Sequence, residues 1–324
     1  MERAGMVTAI ESVTVGVSDI ERALGLFQGV MGLRLEERFE TDALASAWHL
    51  APGTRVVLAE LSCEGHPIGR LRLAQYQPPA TTRVRVHSGP GRHDGPADVG
   101  PKAIDFYVAD PILPLYKRIV SAGYAARSAP IRHEVGDAIS EEFVFWGPDG
   151  VPLLLMVGHR HSPAQLRGVL SPAGFSEVAT VSVVGGSVEA TRRFYGGVMG
   201  LSALVDTETA PEFRDLACEL TGVPRGTRIH WLVYAAPGEP SGKILVLHFD
   251  GAGGLRLAGR MRPGRVGFSL MSHASDDLDA LHRRVVAGGF SVFQPPVRVN
   301  WAGRERRLML VRGPNEEMFE FREG

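Results

Sequence analysis

The residues of this chain that could do chemistry form no continuous signature. There is no HExxH, no GxSxG and no phosphate-binding loop, and Gly185-Gly186 lacks the spacing of a dinucleotide fingerprint. Cys63 and Cys218 have no histidine close in sequence to activate them. Asp105 is different, because it stands between Ile104 and Phe106 in a β-like run. A carboxylate on a strand with a buried face can have its pKa raised by desolvation into the range of a general base. His230-Trp231 lies in another alternating run, which turns one of the two inward, where it could contact an aromatic ligand. His87 and His93, and His159 and His161, fall in Gly/Pro-rich connections and read as solvated loop residues.

The elements that must position these residues are set by an internal repeat. Gly53-Thr54-Arg55 recurs as Gly226-Thr227-Arg228, Val30-Met31-Gly32-Leu33 as Val198-Met199-Gly200-Leu201, and Gly147-Pro148-Asp149 as Gly313-Pro314-Asn315. Each half divides again. Glu11 to Val17 alternates as a strand. Ser18, with Glu21 three residues on, predicts an N-cap and capping box. Ile20, Leu24, Phe27 and Met31 then lie on one helical face that Gly32 ends. Strands are expected near 34–40, 54–62 and 69–76. The second unit has a strand from 102, a helix with Pro111 in its first position, and strands near 126–133, 140–146 and 151–157. The fold class is α+β: four tandem βαβββ modules. An N-terminal domain of 1–160 (modules near 10–77 and 101–158) and a C-terminal domain of 170–324 (modules near 177–250 and 264–323) are expected, joined by a linker between His159 and Phe175. The second half carries five extra residues within 202–225, read as a short helix or lid over a pocket.

The balance of the chain excludes several function classes. It has 324 residues, 35 Lys and Arg against 36 Asp and Glu, and a net charge of -1. No basic excess marks a nucleic-acid binder. No apolar run reaches the roughly 20 residues that cross a bilayer, and Met1 to Val13 does not read as a signal peptide. Two cysteines make no disulfide framework, so a cytoplasmic location is expected. Three of the 35 basic residues are lysine, namely Lys102, Lys117 and Lys243. With 39 glycines, this reads as a coding bias and carries no mechanism.

The segments VTVGVSDIERALGLFQGVMGL and VSVVGGSVEATRRFYGGVMGL, with the closing WGPDGVPLLLM and RGPNEEMFEF, resemble the vicinal oxygen chelate superfamily. That superfamily includes glyoxalase I, bleomycin-resistance proteins and extradiol dioxygenases. The resemblance covers nearly the whole chain and implies two cups, each made by two paired modules. Metal-dependent members place His, Gln or Glu on the first and last strands of the modules. Carried over, those positions fall on Ser12, Ala103, Thr180 and Arg265, and on Arg72, Leu154, Leu245 and Glu320. Only Glu320 is a plausible metal ligand, so the resemblance implies no metal and no other cofactor here, with an Arg265–Glu320 salt bridge in the metal's place. His248 falls on the opposite face of its strand from the ligand position.

Residues two apart on those strands add Thr14, Asp105, Tyr107, Ser182 and Ser269 to the cups. Glu320, Arg265 and Asp105 are the catalytic candidates. Thr180, Ser182, Ser269, His230, Trp301, Arg72 and Tyr107 are the substrate-binding candidates, and an Asp105–Arg72 pair is the purely structural alternative. The C-terminal cup is expected to be the active one. The expected partner is a small organic molecule, aromatic or polycyclic, not nucleic acid or membrane, and family members pair through edges, which allows a homodimer. Three functions follow: a metal-independent isomerase, lyase or cyclase, which the ionisable groups favour; a ligand-sequestering protein of the drug-resistance type; and an extradiol-type dioxygenase with an atypical site.

Overall fold

A computed structural model describes residues 7–63, 66–86, 95–135, 138–160, 170–239, 241–301 and 303–324. His87, His93 and His161 lie outside the described residues.

The first module runs β1 (Ser12–Gly16), α1 (Ile20–Leu24), β2 (Arg34–Thr41), α2 (Leu44–Ala47), β3 (Arg55–Ser62) and β4 (Arg70–Gln77). The second runs β5 (Gly100–Val108), α3 (Ile112–Ser121), β6 (Ile131–Val135), β7 (Ala138–Trp146) and β8 (Pro152–Arg160). The third runs β9 (Phe175–Val184), α4 (Val188–Arg192), β10 (Ser202–Glu208), α5 (Arg214–Thr221), β11 (Arg228–Ala235) and β12 (Lys243–Asp250). The fourth runs β13 (Gly267–Ser275), α6 (Leu278–Ala287), β14 (Ser291–Trp301), β15 (Arg304–Arg312) and β16 (Met318–Glu323). The βαβββ order is therefore present four times.

Local chemistry accounts for most boundaries. Asp19, rather than Ser18, caps α1: its carboxylate accepts the amides of Glu21 and Arg22. Ser18 instead reaches the second module, where its hydroxyl donates to Asp149 at 2.6 Å. The helix widens into a π-turn over Gly25–Val30 and stops at Gly32, whose φ of 69° suits glycine. Gly200 repeats this stop at φ 74°. Pro111 is the N-cap of α3, not its first helical residue, because α3 begins at Ile112. The five-residue insertion does form a helix, α5, ended by Gly222 at φ 81°.

Two eight-stranded sheets result, with orders β14-β15-β16-β13-β1-β4-β3-β2 and β10-β11-β12-β9-β5-β8-β7-β6. The first module thus pairs with the fourth, and the second with the third. This corrects the expected pairing within each sequence half. Repeat spacing marks where modules begin, whereas pairing depends on which first-strand edges meet: β1 with β13 and β5 with β9, both antiparallel. The four first strands are buried along their length. One face packs on the main core, where Phe194 of the third module lies 4.8 Å from Phe290 and 5.4 Å from Phe319 of the fourth. The other face supplies the polar floor of a cup.

Candidate functional site

Strand register identifies the equivalent floor positions of both cups. Thr14 pairs with Arg72, Asp105 with Leu154, Ser182 with Leu245, and Ser272 with Glu320. These first-strand partners lie two residues beyond the carried-over Ser12, Ala103 and Thr180, which also line the cavities, and seven beyond Arg265. Arg265 precedes β13, and its carbonyl oxygen presses on Gly16, where it occupies the place a Cβ would take. It does not face Glu320. The Arg265–Glu320 salt bridge is replaced by another: Glu320 is fully buried, at 3.4 Å from both Arg72 and Arg322. It also accepts Trp48 Nε1 at 2.8 Å and the Ser272 hydroxyl at 3.1 Å. Ser269 is buried and donates to the Thr14 carbonyl at 3.1 Å, away from the cavity linings.

The cup of the second sheet holds a cavity of about 490 Å³. A single row of neighbours crosses its floor: Leu154 on β8, Asp105 on β5, Thr180 on β9 and Lys243 on β12. Directly opposed residues on adjacent strands share a face, which is why side chains from four strands converge. Ser182 donates to Asp105 Oδ2 at 2.6 Å, while Asp105 Oδ1, buried, has no hydrogen-bond partner. Burial pushes the Asp105 pKa up to about 8, against the lowering hydrogen bond from Ser182. The expected structural alternative, an Asp105–Arg72 pair, is excluded, because the two lie in different sheets.

Lys243 donates to the Tyr107 hydroxyl at 3.1 Å. Burial lowers the Lys243 pKa to about 7 and raises that of Tyr107. One wall carries His133, 3.0 Å from Glu142, which also accepts the Ser140 hydroxyl. Burial works to discharge His133, but the Glu142 carboxylate beside it prevails and raises its pKa. Leu154, Leu245, Leu247, Val144 and Trp231 supply apolar surface. Trp231 points in, so His230 turns to the other face of β11 and pairs with Asp206 at 2.7 Å. Helix α5 closes one side: Arg127 and Lys102 bind the carbonyls of Leu220 and Thr221, each at 2.9 Å.

Of the candidates, Asp105, Tyr107, Thr180 and Ser182 meet at this cavity, whereas Arg72, Trp301 and Glu320 belong to the cup of the first sheet. The larger cavity is thus not in a cup of the C-terminal half alone. Sequence reasoning missed Lys243, Lys102, His133 and Glu142. A usable signal existed, since two of the three lysines in an arginine-biased chain are buried in this wall.

The register positions of neither floor offer the His, Gln and Glu donor set of the metal-dependent proteins this chain resembles. Leu154 and Leu245 offer no donor atoms, and in the other cup guanidinium groups flank the Glu320 carboxylate. Among the described residues no group of three or more His, Cys, Asp or Glu is placed to hold a metal ion. Nor is any helix among them long and apolar enough to cross a membrane.

Comparison with known proteins agrees with this architecture. The family model of the Glyoxalase/Bleomycin resistance protein/Dioxygenase superfamily matches residues 177–321. Glyoxalase I of Zea mays is 14% identical with a TM-score of 0.59, covering 97% of this chain and 92% of its own. A proposed dioxygenase of Bacillus subtilis is 15% identical with a TM-score of 0.61, covering 99% and 86%. No curated protein matches the sequence. These solved structures share the fold of four βαβββ modules, and the family-model match falls on the third and fourth modules. In sequence the resemblance to that superfamily is confined to residues 177–321, less than half of the chain, and over the whole chain it is a likeness of fold.

Proposed function

We propose that the cavity between the second and third modules binds a small organic molecule with an apolar body and a carbonyl oxygen, and moves a proton on it without a metal. The observation that carries this reading is Asp105, buried beside the cavity, with one oxygen held by Ser182 and the other without a hydrogen-bond partner. In its ionised form Asp105 takes a proton from the carbon next to the carbonyl. The electron pair moves onto the carbonyl oxygen, and Lys243, across Thr180 in the same row, with Tyr107, two residues along β5 from Asp105, stabilises the charge that develops there. Return of the proton to a different atom completes an isomerisation, and loss of a β-substituent completes an elimination. The leucines at two floor positions favour a second reading, simple sequestration of an apolar ligand. The extradiol reading has least support, since those leucines stand where it needs donors.

The test uses 2-tetralone, an enolisable bicyclic ketone, in D2O. The wild-type protein is expected to speed exchange of its α-protons, with a rate that rises toward pH 8 as Asp105 ionises. Asp105→Asn is expected to lose about 10²-fold or more of that rate, the scale of general-base catalysis. Equal rates in wild type and variant would refute the assignment of Asp105. Saturable binding with no exchange would select the sequestering reading.

A further inference from the structure

We propose that the joint between the third and fourth modules is a proton-operated catch: protonated Glu317 holds it shut, and loss of that proton loosens the turn 313–317 from the π-turn Arg193–Val198. The internal repeat supplies the comparison that singles this joint out. Each half of the chain has one such joint, where the turn before the last strand of its second module docks at the start of the helix of its first. The Ser18 N–H donates to Asp149 at 2.9 Å in the first half, and the Gly186 N–H donates to Asn315 at 3.0 Å in the second. These partners stand at matching places in the repeat, and each bond ties one sheet to the other.

What lies behind that bond differs. In the first half the matching positions hold Ala23, Phe27 and Val151, all buried in the main core. In the second they hold Thr191, Tyr195 and Glu317, all fully buried. A polar chain therefore replaces three apolar side chains. Asn315 Nδ2 donates to Thr191 at 3.2 Å and to Glu317 at 3.1 Å. The Asn315 amide donates to Glu317 at 2.6 Å, and the Tyr195 hydroxyl donates to the same carboxyl. The neighbouring residue departs from the pattern as well. Glu316 holds φ 68° where Gly150 holds φ 73° in the first half, a left-handed backbone that a side chain adopts at a cost. The first half closes the same joint with apolar side chains and a glycine, so the fold does not need the carboxyl. Strain of this kind clusters at switch regions.

The surroundings of the carboxyl give the direction. Among the described residues no cation pairs with Glu317, and Arg256, from the segment before β13, is engaged with Glu316 at 3.0 Å. Tyr234 stacks on Tyr195 at 5.2 Å. His248 stands 3.4 Å from Thr191, and burial lowers its pKa to about 4, so it is uncharged above that. Burial therefore outweighs the donors, which are neutral, and holds Glu317 above its ordinary carboxylate range. An unfolded glutamate loses its proton near about 4.3. The stability this group gives the joint is full below that value and is lost as pH rises to the folded one. The π-turn leads into β10, whose Val205 and Thr207 line the second-sheet cavity, so the catch reaches a wall of that cavity from outside it.

The test follows the Glu317 carboxyl carbon by NMR, and amide exchange by mass spectrometry, from about pH 5 to about pH 9, with rates corrected for the intrinsic effect of pH. Glu317 is expected to titrate above the ordinary carboxylate range. Protection of 193–198 and 313–317 is expected to fall about tenfold per pH unit up to that point and then to level off. Segments 25–30 and 147–151, the matching joint, are expected to show no such step and are the reference for any change in global stability. Tyr195→Phe combined with Glu317→Val restores the residue types of the first half, and Glu317→Gln keeps the side chain's shape; each is expected to abolish the step. Titration of Glu317 at the ordinary carboxylate value, an equal fall in both joints, or a step that survives in Glu317→Gln would overturn the proposal.

Discussion

At the scale of single residues, the buried carboxyl of Asp105 makes stability depend on pH with a definite sign. An unfolded-chain aspartate loses its proton near 3.9, whereas burial keeps it on Asp105 up to about pH 8. Between these values the folded protein holds the extra proton, so this group's contribution to stability falls as pH rises. Where it acts alone the slope is about 1.4 kcal/mol per pH unit. Lys243 acts in the opposite sense: with its pKa lowered to about 7 against about 10.4 unfolded, it adds stability as pH rises above 7. From about pH 4 to about pH 7 the difference between wild type and an Asp105 variant therefore reports Asp105 without Lys243, because the buried histidines and Glu317 are common to both proteins. Asp105→Asn is expected to be the more stable protein at pH 7 and to lose its advantage toward pH 4. Urea unfolding of both proteins across that range checks it, and parallel stability curves would show that Asp105 carries no such burden.

At the scale of elements, the insertion helix α5 is what the second-sheet cavity has and the first lacks in that form, since the corresponding stretch of the first module holds the single turn α2. Its C-terminal carbonyls, at the negative end of the helix, are held by Arg127 and Lys102. Gly222 ends it at φ 81°, and a Cβ there would lie 3.0 Å from the Arg127 Cζ. Gly222→Ala is therefore expected to cost about 1–2 kcal/mol for a side chain in left-handed backbone and to displace Arg127 from Leu220. Faster amide exchange confined to 214–222, together with weaker 2-tetralone binding, is the expected outcome; unchanged exchange would mean that Arg127 does not anchor the lid. The helix and the four modules were legible in the sequence because capping residues, apolar periodicity and repeats are local signals. Period-two spacing likewise put Asp105 with Tyr107 on one face and Thr180 with Ser182 on another, but in different cups; the β5–β9 pairing that joins the two pairs is non-local. Arg265 was misplaced because register is a non-local property: a strand start wrong by a few residues changes the partner of Glu320 without altering any local pattern. Lys243 and His133 escaped notice because each stands in an ordinary run, on a strand whose neighbours across the sheet come from elsewhere in the chain.

At the scale of the whole molecule, the sheet order has a consequence for how the chain can be divided. The repeat invites a cut in the linker between His159 and Phe175, into two halves of similar sequence. Yet each eight-stranded sheet takes one module from either side of that cut, through β1 with β13 and β5 with β9. A half on its own would expose the edges of two first strands that are buried along their length in the intact protein, and such edges invite pairing with another chain. The two cups would also be lost together, since Asp105 needs Ser182 and Lys243 from the other half, as Arg72 needs Glu320. Fragments 1–160 and 170–324, made separately, are therefore expected to be unfolded or self-associated. Mixed in equal amounts, they are expected to form a one-to-one complex with the circular dichroism and cooperative melting of the intact protein. If fragment 1–160 alone were a monomer with native-like cooperative melting, its two modules would be pairing with each other, and the first-with-fourth, second-with-third arrangement would be wrong. The converse outcome would tie the Asp105 cavity to one folding unit: binding of 2-tetralone should then be absent from either fragment and return in the complex.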